Sequence, residues 1–90
     1  MSRLRIRVSG VVQGVGFRYY VVRRARQMNL NGWVRNRPDG SVEIEAVGDA
    51  GPLNGFVEDL RVGPPGAHVT GLTVEPFEDE FGHEGFEIRF

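Results

Sequence analysis

Apolar residues recur at every second position over residues 3–8, where Leu4, Ile6 and Val8 interleave with Arg3, Arg5 and Arg7; beyond Gly14 and Gly16 the period lengthens. A repeat of two predicts a half-buried strand. From Phe17 onward Tyr20, Val21, Ala25 and Met28 fall at helical spacing, with Arg23, Arg24 and Arg26 between them. The switch takes place across Gln13-Gly14-Val15-Gly16, so a strand feeds a helix through a glycine-rich turn. Residues 29–32 supply the turn-tolerant Asn and Gly that end such a helix.

The same logic carries the rest of the chain. Residues 33–37 predict a second strand, Pro38-Asp39-Gly40 a tight hairpin, and residues 41–47 a third strand in which Val42, Ile44 and Ala46 alternate with Glu43 and Glu45. Gly51-Pro52 suits the first helical positions, Leu53, Phe56, Val57 and Leu60 form an apolar stripe, and residues 63–66 (Gly-Pro-Pro-Gly) stop that helix. Residues 69–75 and 86–90 alternate again. An acidic connection over 76–85 has no resolvable pattern.

The element order is strand, helix, strand, strand, helix, strand, plus a final strand. This is the split βαβ order of a ferredoxin-like α/β sandwich, an α+β fold with a mostly antiparallel sheet and two helices on one face. Right-handed crossovers place the third strand between the first and second, and the fourth on the other flank of the first. A chain of 90 residues is expected to form a single domain over 1–90.

Composition excludes several kinds of chemistry. There is no cysteine, so disulfides, thiolate nucleophiles and Cys-based zinc sites are ruled out. His68 and His83 stand in no metal-ligand spacing, and no metal or cofactor is expected. No apolar run approaches the ~20 residues that span a bilayer, and no signal-peptide pattern follows Met1; the expected location is the cytoplasm, away from membranes.

The formal net charge is -1, yet nine of the eleven basic residues, all Arg, precede Pro38 and every acid follows it. Such asymmetry can mark nucleic-acid binding. The topology offers another use: Arg3, Arg5 and Arg7 share the uncovered sheet face with Glu43 and Glu45 on one neighbouring strand and Glu75 on the other. These are cross-strand pairs of opposite sign. An RNA-recognition module of the same architecture would need basic and aromatic side chains on its central strands. Here the third strand is acidic, and no nucleic-acid partner is expected.

Two places remain where chemistry can sit. The turn of residues 13–17 presents successive backbone N–H groups at a helix start, where the dipole adds about half a positive charge. Such a turn accepts anions. Arg18 stands at the same end. A cation is the wrong sign for the dipole there unless an anion shares the site, and its guanidinium can clamp two phosphate oxygens. The plainer alternative is a tight turn beside a surface Arg. The turn is neither a Walker loop nor a dinucleotide fingerprint. The second place is Asn36. The first and second strands run parallel, so their C-terminal ends meet one sheet edge. Alternation puts Asn36 on the face of Val34, towards the turn. Here the alternative is an amide that bonds only the hairpin backbone.

At these places the chain resembles the acylphosphatase family. Val12-Gln13-Gly14-Val15-Gly16-Phe17-Arg18 is similar to the family's phosphate-loop signature. Gly32-Trp33-Val34-Arg35-Asn36, followed by Asp39-Gly40-Ser41-Val42-Glu43, is similar to its second signature. Gly63-Pro64-Pro65 and Phe86-Glu87-Ile88-Arg89 match as well, so the likeness spans essentially the whole chain. It departs at Val11, where a basic or polar residue is common.

The resemblance implies a metal-independent hydrolase that converts acyl phosphates to carboxylate and inorganic phosphate. Arg18 and the N–H groups of Gln13, Gly14, Val15, Gly16 and Phe17 would hold the phosphoryl group, and Asn36 would hold the attacking water. It further implies a monomer whose partner is a small acyl phosphate, and a site that takes inorganic phosphate or sulfate. A non-catalytic anion-binding module on the same fold would keep Arg18 and the turn but would have no need of Asn36.

Overall fold

The structure is a computed structural model that describes residues 1–78 and 84–90. The middle of the acidic connection, 79–83, lies outside the described residues, and His83 with it. The elements are β1 (Ser2–Val11), α1 (Phe17–Gln27), β2 (Asn31–Asn36), β3 (Val42–Gly48), α2 (Ala50–Val62), β4 (His68–Pro76) and β5 (Phe86–Arg89).

The five strands form one sheet in the order β4-β1-β3-β2-β5. β3 is antiparallel to both β1 and β2, β4 is antiparallel to β1, and β5 lies parallel to β2. The predicted sandwich is therefore the observed one, and β1 and β2 point the same way. Register follows the alternation: Ile6 opposes Ile44 and Val34 opposes Ile44, so one face is apolar across the central three strands.

Phe17, Val21, Val22 and Ala25 of α1 and Leu53, Phe56, Val57 and Leu60 of α2 bury against that face, which contributes Ile6, Val8, Val34, Val42 and Ile44. Each large apolar side chain so buried contributes about 1.5–3 kcal/mol, against about 0–1 kcal/mol for an exposed ion pair. This layer, rather than the arginines, holds the fold. Among the described residues no helix is long and apolar enough to cross a membrane.

Three expectations need correction. β2 begins at Asn31, two residues early, because Gly32 and Trp33 already pair with Ala46 and Glu45. α2 begins at Ala50, so Pro52 is its third residue; the first helical bond runs from Leu53 N–H to Asp49 O at 3.0 Å, and the missing proline N–H costs no hydrogen bond. Finally, Glu43 and Glu45 lie on the uncovered face as expected but do not meet solvent: each is 6% exposed.

Longer side chains close over these two acids. Arg5 reaches its register partner Glu45 at 2.6 Å, and Glu43, flanked in register by Arg7 and Arg35, is taken by Arg35 at 2.7 Å and by Arg37 at 3.2 Å. Trp33 lies in the same layer, with the guanidinium carbons of Arg35 and Arg89 each 5.1 Å from its ring centre. Arginine stems cover apolar and acidic neighbours while their heads stay wet.

Candidate active site

The link between β1 and α1 is held at its ends and bare at its crest. Val12 and Phe17 are each 1% exposed and belong to the core, whereas Gly14 and Gly16 are exposed. Both glycines have positive φ, 75° and 78°, and a side chain at either would meet nothing within 4 Å. Their requirement is conformational, since left-handed backbone disfavours L side chains. From behind, residues 63–67 support the turn: a Cβ on Gly66 would lie 3.5 Å from Val15 Cβ.

Gly16 is the N-cap of α1 in left-handed geometry, with no side-chain cap and no acid in the first turn. Among the described residues, none supplies an acceptor for the backbone N–H groups of Gly14, Val15, Gly16 or Phe17. A row of unpaired donors at a helix start is electropositive and suited to an anion.

The side chain of Gln13 turns away from this row. Its Nε2 donates to Arg37 O at 2.8 Å and to Ser41 O at 2.9 Å. The β2–β3 hairpin that receives it is closed by Arg37 N–H to Ser41 O (2.9 Å) and Gly40 N–H to Arg37 O (3.1 Å). Asp39 Oδ1 accepts from Ser41 N–H and from its hydroxyl, at 2.9 and 2.6 Å. Those two bonds, with the charges of Arg37 and Arg7, hold the Asp39 carboxyl below its ordinary pKa.

Asn36 is the last residue of β2, just ahead of this hairpin. Its Oδ1 is buried without a hydrogen-bond partner among the described residues. Leaving a buried acceptor unpaired costs about 1–3 kcal/mol, so the residue is not there merely to bond the hairpin backbone. The half-buried Arg18 lies with its guanidinium carbon 5.1 Å from the Phe90 ring centre. Phe90 follows Arg89, which pairs with Arg35 beside Asn36. Arg18 and Asn36 thus reach one edge of the sheet, at the C-terminal ends of β1 and β2.

Sequence pattern singles out the turn, Arg18 and Asn36. It misses the Gln13 side chain, the Phe90 ring under Arg18 and the sheltering of Glu43. Surface clefts open elsewhere, one beside Met1 and Phe77, one beside Tyr19 and Gln27 and one beside Asn29 and Glu87. They bring no counterpart of the bare amide row.

Two helices packed on one face of a five-strand, mostly antiparallel sheet define a small ferredoxin-like α+β protein. The sequence profile of the acylphosphatase family matches residues 4–88. The chain is 47% identical to an acylphosphatase of Bacillus subtilis over 90 residues, covering 100% of this chain and 99% of the other. It is 45% identical to one of Chlorobaculum tepidum over 87 residues, covering 97% and 95%. A crystal structure of acylphosphatase from Bacillus subtilis superposes with a TM-score of 0.96 at 46% identity, with each chain fully covered. The chain belongs to the acylphosphatase family.

Proposed function

We propose that this chain hydrolyses the mixed anhydride of a carboxylate and a phosphate, as one domain over residues 1–90 working as a monomer in the cytoplasm. The observation that carries this reading is the row of unpaired N–H groups at Gly14–Phe17, sharing one sheet edge with Arg18 and with the orphaned Asn36 Oδ1.

The turn amides and Arg18 hold the phosphoryl oxygens. The guanidinium lies over the Phe90 ring, and among the described residues no acceptor takes its N–H donors, so they stay available for a bidentate grip. Asn36 holds the attacking water through its side-chain amide and turns the oxygen lone pair towards phosphorus. The water oxygen bonds to phosphorus as the bond to the acyl oxygen breaks, and that electron pair leaves on the carboxylate. The water proton passes to a phosphoryl oxygen.

The carboxyls of the second signature, Asp39 and Glu43, are both held below their ordinary pKa and so are poor general acids, and this leaving group does not need one: its conjugate acid has a pKa near ~4, so it departs as the anion at neutral pH. Phosphoryl transfer then depends on positioning and charge stabilisation, which the amides, Arg18 and Asn36 supply.

Release of phosphate from acetyl phosphate tests the reading. Turnover at catalytic protein concentration, unchanged by a strong chelator, is expected. Stoichiometric binding of phosphate without turnover would leave only an anion-binding module.

A further inference from the structure

We infer that the Gln13 side chain is a positioning residue that sets the separation between the phosphoryl-binding turn and Asn36. The inference rests on the site proposed above and concerns a group that the site does not otherwise use.

Three observations carry it. Gln13 belongs to the turn through its backbone, while its side-chain amide leaves the turn and ends on the β2–β3 hairpin, 24 and 28 residues further along the chain. Both acceptors are main-chain carbonyls, so only the nitrogen end of the amide fits there, and one NH2 group is spent on both. The carbonyls it reaches, Arg37 O and Ser41 O, are the ones that close the hairpin through Gly40 N–H and Arg37 N–H. Gln13 therefore grips a block that is already braced, and that block begins one residue after Asn36.

The backbone makes this connection only part of the way. Val42 of β3 pairs with both Val8 and Asn36, but the β1–β3 ladder stops at Val8, short of Gln13 and the turn. Without a tie, the crest of the turn is located by Val12, Phe17 and the packing of Val15, all on its own side. In-line attack needs the water oxygen opposite the leaving oxygen, about 3–3.5 Å from phosphorus, and an error near 1 Å can cost about 100-fold. An amide that fixes turn to hairpin at 2.8 and 2.9 Å governs that distance. Asn is one methylene too short for the span, Met has the length without donors, and Glu turns a carboxylate towards two carbonyl oxygens.

The test is a double-mutant cycle in kcat for acetyl phosphate, with Q13M, N36A and the pair, each checked for folding by its thermal midpoint. Q13M is expected to lower kcat about 10- to 100-fold. Its inhibition constant for inorganic phosphate should stay within about two-fold, because the amides and Arg18 remain. In the N36A background Q13M should lower kcat no further, since the group it aligns is gone.

Unchanged kcat in folded Q13M overturns the inference. So does an equal fall in the presence and absence of Asn36, or a parallel loss of phosphate affinity, which would make Gln13 a prop of the turn alone. If Q13M does not fold, Q13E is read by the same criteria. An N36A protein as active as wild type would sink the underlying site assignment, and the two failures are distinct because the first leaves N36A impaired.

Discussion

The guanidinium of Arg18 lies over the ring of Phe90, 5.1 Å from carbon to ring centre, although the two residues are far apart in the chain. Phe90 is fully exposed even with this contact and contributes nothing to the core. In the proposed site the contact would restrain a side chain that gives up rotamer freedom on binding phosphate. Such a contact at an exposed site contributes about 0.5–1 kcal/mol, or roughly 2- to 5-fold in affinity. Phe90→Leu should raise the inhibition constant for inorganic phosphate by that factor and leave the thermal midpoint nearly unchanged. Tighter phosphate binding by F90L would mean that the ring holds Arg18 away from the substrate.

Arg18 itself should not be replaceable by Lys. Two parallel N–H bonds to phosphoryl oxygens need the planar fork, and an ammonium offers only a point charge. Arg18→Lys should cost about 100-fold in kcat/KM and Arg18→Ala about 1,000-fold, both with weaker competitive inhibition by phosphate. Inhibition titrations with acetyl phosphate as substrate check this; undiminished phosphate affinity in R18A would remove Arg18 from the site.

Glu43 links the sheet's uncovered face to acid stability. Burial alone would raise its pKa, but hydrogen bonding and charge from Arg35 and Arg37 outweigh burial and hold the carboxyl below its ordinary value of 4.5. A depressed folded pKa gives stability that is complete above the unfolded value and disappears as pH falls through the folded one. Wild-type unfolding free energy should therefore decline below about pH 4.5. Glu43→Gln should be less stable by about 1–3 kcal/mol at pH 7 and lose less on acidification. Urea titrations from pH 7 to 3 measure both slopes.

Glycines of the two signatures should fail in different ways. At Gly32 the φ is 143° and a Cβ would lie 1.8 Å from Glu45 O, a backbone atom of the paired strand. Gly32→Ala must open the β2–β3 ladder, at about 3–5 kcal/mol, and should sharply lower the thermal midpoint. At Gly14 a Cβ meets nothing, so Gly14→Ala costs only the left-handed backbone, about 1–2 kcal/mol. The folded G14A protein should lose phosphate affinity as the amide row shifts.

Patterns local to the chain reveal the order of elements and the face of the sheet that each strand side chain takes. The alternation at Leu4, Ile6 and Val8 and the helical spacing from Phe17 are short-range signals, and both lead to the observed sheet and helix. The start of β2 is less legible, because Asn31 and Gly32 read as turn residues until Ala46 and Val47 are there to pair with them. Glu43 and Glu45 share the open face in any alternation argument; that Arg5, Arg35 and Arg37 fold over them depends on rotamers. Gln13 is the sharpest case. Its backbone belongs to a recognisable turn, while the partners of its side chain are carbonyls of Arg37 and Ser41, atoms that every residue type carries and no local pattern marks.

Hydrolysis of acetyl phosphate in water enriched in oxygen-18 tests most directly whether a water held by Asn36 attacks phosphorus gripped by Arg18 and the turn. The label should appear in inorganic phosphate, one atom per turnover, with none in acetate, read from the phosphorus-31 isotope shift and the mass of the acetate. Label in acetate would place the attack on the carbonyl carbon and contradict a site built around the phosphoryl group.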